Sequence, residues 1–323
     1  MAERIHALIG AAGYVAPRHM EAMKRTGGAL EAAFDPADSV GVMDRYFPDA
    51  LFFTEFERFA EHLSARRHSP RRVGSISICS PNYLHKSHVT FTLGTGADAI
   101  CEKPLAMQPE DIDELAALEQ ETGRKVNTIL QLRLHPSIIE LRDKVGAGRT
   151  VYDVDLTYVT ARGRWYYESW KGDDRRSGGI ATNIGVHFYD MLTFVFGAPV
   201  VNVVHHRAAD CAAGYLEFER ARVRWFLSIN RRDMDGADGF ALRAMTIGGI
   251  GCFDFSKGFE DLHTVSYREI AAGRGFSLDE VRPAIEIVSL IRQAPLDRHA
   301  GRQHPHLARV LADAGRYDRG RPV

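Results

Sequence analysis

The chain has few cysteines, no long apolar run and no excess of charge of either sign. Its 323 residues include only four cysteines, which form no CxxC pair: Cys79, Cys101, Cys211 and Cys252. Four dispersed cysteines are too sparse for a disulfide framework. We therefore interpret them as reduced thiols and expect a cytoplasmic protein.

The charge of the sequence is almost balanced, with 41 basic and 42 acidic residues. A balanced chain has no long-range field that favours nucleic acid or an anionic membrane. The basic run ARRHSPRR at 65–72 has no interleaved aromatic residues and is interpreted as a solvated loop. The most apolar stretch, at 191–204, is too short to span a bilayer. We expect a small-molecule partner, no nucleic acid and no membrane.

Histidine is frequent, with 14 residues, but its spacing does not indicate a metal site. The sequences HKSH at 85–88 and HPH at 304–306 lack carboxylates or thiolates at a recognised ligand spacing. We predict no metal.

The order of apolar segments predicts two domains. Up to about residue 125, short apolar runs alternate with amphipathic stretches, which is typical of an α/β domain with a parallel sheet. From 151 onward, strand-like runs follow one another with short turns, which indicates an antiparallel meander and hence an α+β domain. We predict a first domain at 1–125, a second domain at 126–303 and a peripheral tail at 304–323. Helices are expected at 179–196 and 277–293.

A glycine-rich turn follows the first predicted strand, IHALIG. The sequence from Gly10 to Ala16, GAAGYVA, is a variant of the turn that brings backbone amides and a helix N-terminus to a pyrophosphate. Its spacing departs from GxGxxG by one extra residue before Gly13. A tight strand-to-helix turn without a ligand would have similar letters, so both interpretations stay open on this segment alone.

Asp35 ends the second predicted strand, about twenty residues after the turn. A carboxylate at this place can accept both hydroxyls of an adenosine ribose. A 2′-phosphate beside it would cost about 4 kcal/mol per unit-charge pair at an effective dielectric of 20. The position therefore favours NAD over NADP. The alternative is an Asp that only initiates the turn before Pro36.

Two further strand ends belong to the same predicted edge of the sheet. Ser80-Pro81-Asn82 follows the strand SISICS, and Glu102-Lys103-Pro104 follows DAIC. Ligands of doubly wound sheets bind beyond the carboxyl ends of the strands. We expect both segments to border the cofactor.

These segments, taken in order, resemble the Gfo/Idh/MocA oxidoreductase family. The residues that carry the resemblance are GAAGYVAPRH, the Asp35 strand end, SICSPNYLH, CEKPL and GGIATNIGVHFYD. Within this family the chain is similar to bacterial dehydrogenases that oxidise the C-3 hydroxyl of UDP-N-acetyl-glucosaminuronic acid to a ketone with NAD. The resemblance implies a role in surface polysaccharide (O-antigen lipopolysaccharide) synthesis, where transamination leads to a diamino uronic acid. It implies that 1–125 is an NAD-binding Rossmann domain and that 126–303 is a substrate-binding and oligomerisation α+β domain with an open, mostly antiparallel sheet. It also implies a homotetramer, and in some relatives 2-oxoglutarate recycles the NADH.

The resemblance and the strand ends together give two sets of expected site residues. The expected cofactor-binding residues are Gly10, Ala12, Gly13, Tyr14, Val15, Asp35, Ser80, Pro81, Asn82, His85, Glu102, Lys103 and Gln131. The expected substrate-binding residues are Lys103, Arg133, Arg162, Trp165, Lys171, Asn183 and His187.

Lys103 and His187 are the two candidate catalytic residues. Oxidation of an alcohol needs a proton acceptor at the hydroxyl, and a histidine near neutral pKa or a desolvated lysine can serve. Which of the two is the base stays open. Many family members have Asp where this chain has Asn183. An amide cannot ionise, so a His-Asp relay is excluded, while a hydrogen bond to substrate is not.

The segment RGRWYYESWK at 162–171 combines aromatic and basic residues. Uracil, diphosphate and carboxylate groups of a nucleotide sugar would suit such side chains. The aromatic residues could equally pack at a domain or subunit interface. Rival functions are a dehydrogenase of another sugar or polyol, and a non-catalytic NAD-sensing regulator.

Overall fold

The protein consists of two compact units. The computed structural model describes residues 4–234, 241–254, 258, 261–299 and 301–312. The first unit comprises the described residues up to 134 together with 261–282, and the second comprises those from 135 to 258 and from 283 onward. The first unit extends beyond residue 125 because the next segment forms a strand of its sheet.

The first unit is a doubly wound sheet with helices. Its elements are β1 (Arg4–Ile9), α1 (Ala16–Arg25), β2 (Gly28–Phe34), α2 (Met43–Tyr46), β3 (Leu51–Phe53), α3 (Phe56–Arg66), β4 (Ser75–Ile78), α4 (His85–Gly94), β5 (Asp98–Cys101), α5 (Pro109–Thr122) and β6 (Val126–Thr128). Helix α11 (Leu262–Ala271) also belongs to it. The strand order is β3-β2-β1-β4-β5-β6, and every pairing is parallel.

This strand order places a crevice beside β1. The chain runs from β1 outward to β3 on one side and from β4 to β6 on the other, so the order reverses between β1 and β4. Ligands of such sheets bind at this reversal, beyond the carboxyl ends of the strands. Helix α1 follows β1 and buries Met20 and Met23 against the sheet core, as their spacing on one helix face predicts.

The second unit contains a six-stranded sheet. Its elements are α6 (Pro136–Gly146), β7 (Tyr152–Thr160), α7 (Trp165–Glu168), α8 (Asp174–Ser177), α9 (Gly179–Asn183), α10 (Val186–Phe196), β8 (Pro199–Arg207), β9 (Cys211–Phe218), β10 (Ala221–Ser228), β11 (Ala241–Ile247), β12 (Gly251–Asp254) and α13 (Pro305–Ala312). Helix α12 spans Leu278–Gln293, close to the predicted 277–293, and its residues up to Arg282 belong to the first unit.

The second sheet is open and mostly antiparallel, so the predicted fold class is confirmed. Its strand order is β12-β11-β7-β10-β9-β8. The exception is β7, which pairs with β10 in parallel over Tyr152–Val159. The strands therefore do not form a simple meander, because the first strand of the unit lies in the middle of the sheet.

The single helix expected at 179–196 is two helices, α9 and α10. The chain between them includes Gly185, where a Cβ atom would lie 2.3 Å from the Ala181 carbonyl oxygen and 2.8 Å from Leu227 of β10. Only glycine allows this approach of the backbone to the sheet. Helix α10 is then held by Tyr189, whose ring packs edge-on against Trp225 of β10.

The expectation of a peripheral tail from residue 304 is wrong for its described part. His304 is buried, and α13 inserts Leu307 and Val310 into a cluster with Val159 and Phe226 of the sheet. Neighbouring residues of a strand face opposite sides, so Trp225 contacts α10 while Phe226 stacks on His304. Residues 313–323 of the predicted tail lie outside the described residues.

The structure also tests the expectation on membranes. Among the described helices, no segment combines the length and the apolar character that a bilayer crossing requires.

Candidate functional site

The turn between β1 and α1 passes very close to the end of β4. Gly10 has φ +88°, and a Cβ atom on it would lie 2.6–2.7 Å from backbone atoms of Cys79 and Ser80. Glycine is therefore required both for the backbone conformation and for the contact between the two strand ends. Gly13 continues the turn by donating its backbone N–H to the Gly10 carbonyl at 3.0 Å.

Helix α1 begins without a side-chain cap and has no acidic residue in its first turn. A helix start of this kind attracts an anion through its amide groups and its dipole. The segment before this helix contains Ala12, Tyr14 and the N-cap residue Val15. Tyr14 is 89% exposed, and the Arg18 guanidinium lies 6.0 Å from its ring centre. These residues fit a pyrophosphate at the start of α1.

Asp35 forms the turn that one of the two interpretations predicts, and it also binds the glycine-rich turn. Its Oδ1 accepts the backbone N–H of Ala37 at 2.9 Å, which is the turn-forming bond, and its Oδ2 accepts that of Ala12 at 3.0 Å. The side chain therefore ties the end of β2 to the glycine-rich turn. A carboxylate accepts about four hydrogen bonds, so acceptor capacity remains for ribose hydroxyls.

The end of β4 is held by two buried histidines of α4. Ser80 Oγ lies 2.8 Å from His88 Nδ1. The two ring nitrogens of His85 lie 2.8 Å from the Ser80 carbonyl oxygen and 2.6 Å from the Pro104 carbonyl oxygen. His85, expected to bind cofactor, thus joins the ends of β4 and β5 through backbone groups. Pro81 and the buried Asn82 lie in the same loop.

Lys103 lies at the end of β5 and is half-buried. Burial lowers the pKa of its ammonium group, and the negative charge of Glu102 acts in the opposite direction. The Lys103–Pro104 peptide bond is cis.

The Glu102 side chain points into a buried cluster of the first unit. Its Oε1 lies 3.0 Å from His19 Nε2 and 2.9 Å from His263 Nε2. Burial would raise the pKa of the Glu102 carboxyl, but the hydrogen bonds from the two imidazoles bring it well below its usual value. His19 Nδ1 lies 2.9 Å from the Tyr267 hydroxyl, which also contacts Ser77 Oγ at 2.5 Å. The carboxylate is therefore ionised and fixed.

Two expected residues follow β6. Gln131 Oε1 is buried and has no hydrogen-bond partner within the described residues, so it can accept a donor from a ligand. Arg133 is buried, donates to the Glu280 carbonyl at 2.8 Å and lies 5.3 Å from the Phe276 ring centre. The guanidinium of Arg133 is thus engaged with its own unit.

The second unit carries the remaining expected residues. Asn183, at the end of α9, donates to the Tyr166 hydroxyl at 2.8 Å, and His187 lies half-buried in the first turn of α10. Trp165 of α7 is 55% exposed, and the Lys171 ammonium lies 5.8 Å from its ring centre. Arg162 is exposed directly after β7.

Three residues of these environments were not predicted from the sequence. His19 and His263 hold Glu102, and Tyr166 holds Asn183. A signal existed for His19, which shares the apolar face of α1 with Met20 and Met23. Tyr166 lies beside Trp165 in the aromatic segment already singled out. Nothing near His263 in the sequence points to Glu102.

Comparison with known families assigns both units. Residues 5–129 match "Oxidoreductase family, NAD-binding Rossmann fold", and residues 149–234 match "Oxidoreductase family, C-terminal alpha/beta domain" of Gfo/Idh/MocA. The chain belongs to the Gfo/Idh/MocA oxidoreductase family. This membership confirms the predicted resemblance. It also confirms the prediction that the protein is an NAD-dependent oxidoreductase.

Two solved structures of this family are 46% identical to the chain. They are the WlbA (WbpB) dehydrogenase from Thermus thermophilus in complex with NAD and alpha-ketoglutarate, at a TM-score of 0.90, and with NAD and UDP-GlcNAcA, at 0.89. Each comparison covers 94% of this chain and 99% of that chain. The NAD in both structures agrees with the predicted cofactor.

The chain is also similar to a curated protein, the D-glucoside 3-dehydrogenase of Escherichia coli, strain K12. It is 31% identical over 137 residues, which is 40% of this chain and 38% of that protein. The match therefore spans less than half the length of that relative.

Proposed function

We propose that this Gfo/Idh/MocA protein oxidises the C-3 hydroxyl of UDP-N-acetyl-glucosaminuronic acid to the 3-keto sugar with NAD. The observation that carries the proposal is the 46% identity, over nearly the whole chain, to a dehydrogenase crystallised with NAD and this nucleotide sugar. The product would be the substrate for a transamination toward a diamino uronic acid of a surface polysaccharide.

The chain's own residues bind and orient the cofactor in this proposal. The glycine-rich turn and the start of α1 receive the pyrophosphate, and Asp35 accepts the adenosine ribose hydroxyls. Ser80, Asn82 and Gln131 border the other half of the cofactor. When bound, NAD would supply the acceptor for the hydride of the carbinol carbon, and the NADH formed would supply a hydride to a second substrate.

Lys103 and His187 are the groups proposed to handle the hydroxyl proton. The half-buried Lys103 can donate a hydrogen bond to the developing alkoxide or take the proton itself, because burial favours its neutral form. His187 is the second candidate acceptor. Asn183 cannot ionise, so it would orient the sugar through its amide, with Tyr166 fixing its position.

The uracil and diphosphate of the substrate are assigned to the second unit. Trp165 offers an exposed indole for stacking, while Arg162 and Lys171 offer positive charge to phosphate or carboxylate oxygens. Arg133 is a weaker candidate than the sequence indicated, because its guanidinium already binds the Glu280 carbonyl.

Turnover of the purified protein tests the proposal. Incubation with NAD and UDP-GlcNAcA should produce the 3-keto sugar, detected by mass spectrometry, with an equal amount of NADH when no acceptor is supplied. Lys103→Ala should reduce turnover by at least about 100-fold and leave NAD binding largely intact. The control is Lys86→Ala, since Lys86 pairs with Asp111 and Glu114 elsewhere on the unit. Full activity of Lys103→Ala would contradict the assigned role.

The rival within the enzyme class is oxidation of a simple sugar, which the matched D-glucoside 3-dehydrogenase represents. Free UDP should compete with a nucleotide-sugar substrate and should not affect a simple-sugar enzyme. A panel of glucosides and inositols, each assayed with and without UDP, separates the two functions.

We further propose 2-oxoglutarate as the second substrate, supported by the Thermus thermophilus complex with that molecule. Its keto carbon would gain a hydride and its oxygen a proton, giving 2-hydroxyglutarate. With NAD far below the sugar concentration, formation of one 2-hydroxyglutarate per keto sugar is expected. A requirement for stoichiometric NAD would contradict recycling.

The assembly and the compartment are proposed on the family resemblance and on composition. We propose a homotetramer, to be checked by light scattering coupled to gel filtration. We propose a cytoplasmic location because the four cysteines are too few and too dispersed for a disulfide framework.

A further inference from the structure

The buried cluster around Glu102 joins three elements of the first unit directly beside Lys103. His19 comes from α1, Glu102 follows β5, and His263 comes from α11. All three side chains are buried, and two imidazole nitrogens contact the same carboxylate oxygen. None of the three reacts in the proposed oxidation, so the mechanism leaves their arrangement unexplained.

We propose that His19 and His263 are positioning residues that hold Glu102 and thereby fix the direction and the charge of the Lys103 ammonium. The inference rests on the proposed function in one respect, namely that Lys103 meets the sugar hydroxyl.

The hydrogen-bond directions follow from the chemistry of the groups. An ionised carboxylate only accepts, so both imidazoles donate their Nε2–H to Glu102 Oε1. Neutral His19 then accepts a hydrogen bond from the Tyr267 hydroxyl at Nδ1, and the Tyr267 oxygen accepts one from the Ser77 hydroxyl. This chain of bonds gives Glu102 a single orientation.

The backbone on both sides of Lys103 is also held. The Glu102 N–H donates to the Ile78 carbonyl of β4 at 3.0 Å. On the other side, the Pro104 carbonyl oxygen lies 2.6 Å from a ring nitrogen of His85. Lys103 therefore lies between two neighbours that are held in place, and loss of the imidazole contacts would loosen the Glu102 side chain next to it.

The negative charge of Glu102 also acts on Lys103. The titratable groups that face Glu102 and Lys103 are His19 of α1, Cys79 after β4, His85 of α4, Cys101 of β5, and His263 and Tyr267 of α11. Burial raises the pKa of both thiols and of the Tyr267 hydroxyl, so these groups are neutral. Within this set Glu102 is the anion that opposes the burial of Lys103.

A metal ion is the alternative occupant of the same three side chains, since their ligand atoms lie within 4.8 Å of one another. The 2.9–3.0 Å separations between nitrogen and oxygen are those of direct charge-assisted hydrogen bonds. Elemental analysis of the dialysed protein distinguishes the two cases. Stoichiometric zinc, iron or nickel lost from a His263→Leu variant would overturn the proposal.

The first experiment compares His263→Leu with His263→Gln. Among the described residues His263 Nδ1 has no partner, so Nε2 is the contact to reproduce, and a glutamine amide can donate in its place. His263→Leu should lower kcat about tenfold or more while KM for NAD stays within about twofold, and His263→Gln should recover most of kcat. His62→Leu is the control, because it removes another His–Glu contact, with Glu31, in the same unit.

Equal loss of kcat in the leucine and glutamine variants, or unchanged kcat in both, would overturn the positioning role. Thermal unfolding of each variant is measured alongside the kinetics. It separates a change in stability that both variants share from a change in kcat that only His263→Leu shows.

The second experiment measures the titration of Lys103 without an activity assay. Lysines are reductively methylated with ¹³C-formaldehyde, the Lys103 signal is assigned by its absence in Lys103→Arg, and its titration is followed by NMR. Glu102→Gln removes the negative charge, so Lys103 should titrate at lower pH than in the wild type. An unchanged titration would overturn the proposal. If the shift occurs while the wild type oxidises no UDP-sugar, the proposed function fails and the cluster stands.

Discussion

Single residues at the end of each strand set the geometry of the cofactor crevice. Asp35 uses its two carboxylate oxygens to hold Ala12 and Ala37, and Gly10 lets the first turn touch the end of β4. Each contact depends on one particular side chain or on its absence. Substitutions at these residues should therefore change stability and NAD affinity by more than the change in side-chain size suggests.

Gly10→Ala tests this at the most crowded position. The added Cβ atom would meet the backbone of Cys79 and Ser80 and would sit at positive φ, so the folded state should lose roughly 2–5 kcal/mol. Gly27→Ala is the matched control, because Gly27 has φ +75° but has nothing within 4 Å of its Cβ position. It should cost only about 1–2 kcal/mol.

Urea unfolding and NAD titration measure the two variants. NAD affinity should fall at least about tenfold in Gly10→Ala, since the turn itself moves, and should hold in Gly27→Ala. Equal destabilisation of both variants would mean that backbone strain alone matters at Gly10.

At the scale of elements, the second unit is stabilised by helices on both faces of its sheet. Strand β10 directs Trp225 toward α10 and Phe226 toward His304 and α13. Helix α13 is short, yet it is amphipathic and buries Leu307 and Val310 in the cluster with Val159 and Met234. The terminal helix is thus part of the core of its unit.

Leu307→Ala measures the contribution of α13. Leu307 is 0% exposed, and removal of a buried leucine side chain should destabilise the protein by about 2–5 kcal/mol. Leu311→Ala is the control on the same helix, because Leu311 is 42% exposed and its loss should stay within about 0.5 kcal/mol. Chemical denaturation gives both values. Similar results for the two variants would show that α13 is not docked.

At the scale of the whole molecule, buried histidines link stability to pH. Burial lowers the pKa of His6, His88 and His304 from 6.5 to about 4 in the folded protein. In the unfolded chain these residues regain an ordinary pKa. Between the two values the unfolded state binds more protons, so stability falls as the pH falls from about 6.5 to about 4.

The melting temperature should therefore decrease steadily between pH 7 and pH 5. Each of the three histidines contributes a loss of about 2 kcal/mol at pH 5, because its folded form stays neutral there. His304→Gln should flatten this pH dependence, whereas His68→Gln, at an exposed position, should leave it unchanged. A melting temperature independent of pH over this range would contradict the assignment of neutral buried imidazoles.

The sequence alone determined the features that depend on local chemistry. The glycine turn, Asp35 and the EKP segment at 102–104 each follow a strand, and strands are read from neighbouring residues. Because parallel strands align their carboxyl ends, the order of these segments was enough to predict that they lie along one edge of the sheet. It was also enough to predict the NAD cofactor and the fold class.

Tertiary structure decided what depends on residues far apart in the chain. His263 meets Glu102 across 161 positions, and His304 meets Phe226 through packing on a sheet face. The parallel pairing of β7 with β10 and the break at Gly185 are of the same kind. Such contacts are selected by the burial of whole surfaces and by the pairing of buried polar groups, and no local pattern of residue types encodes which distant partner supplies them.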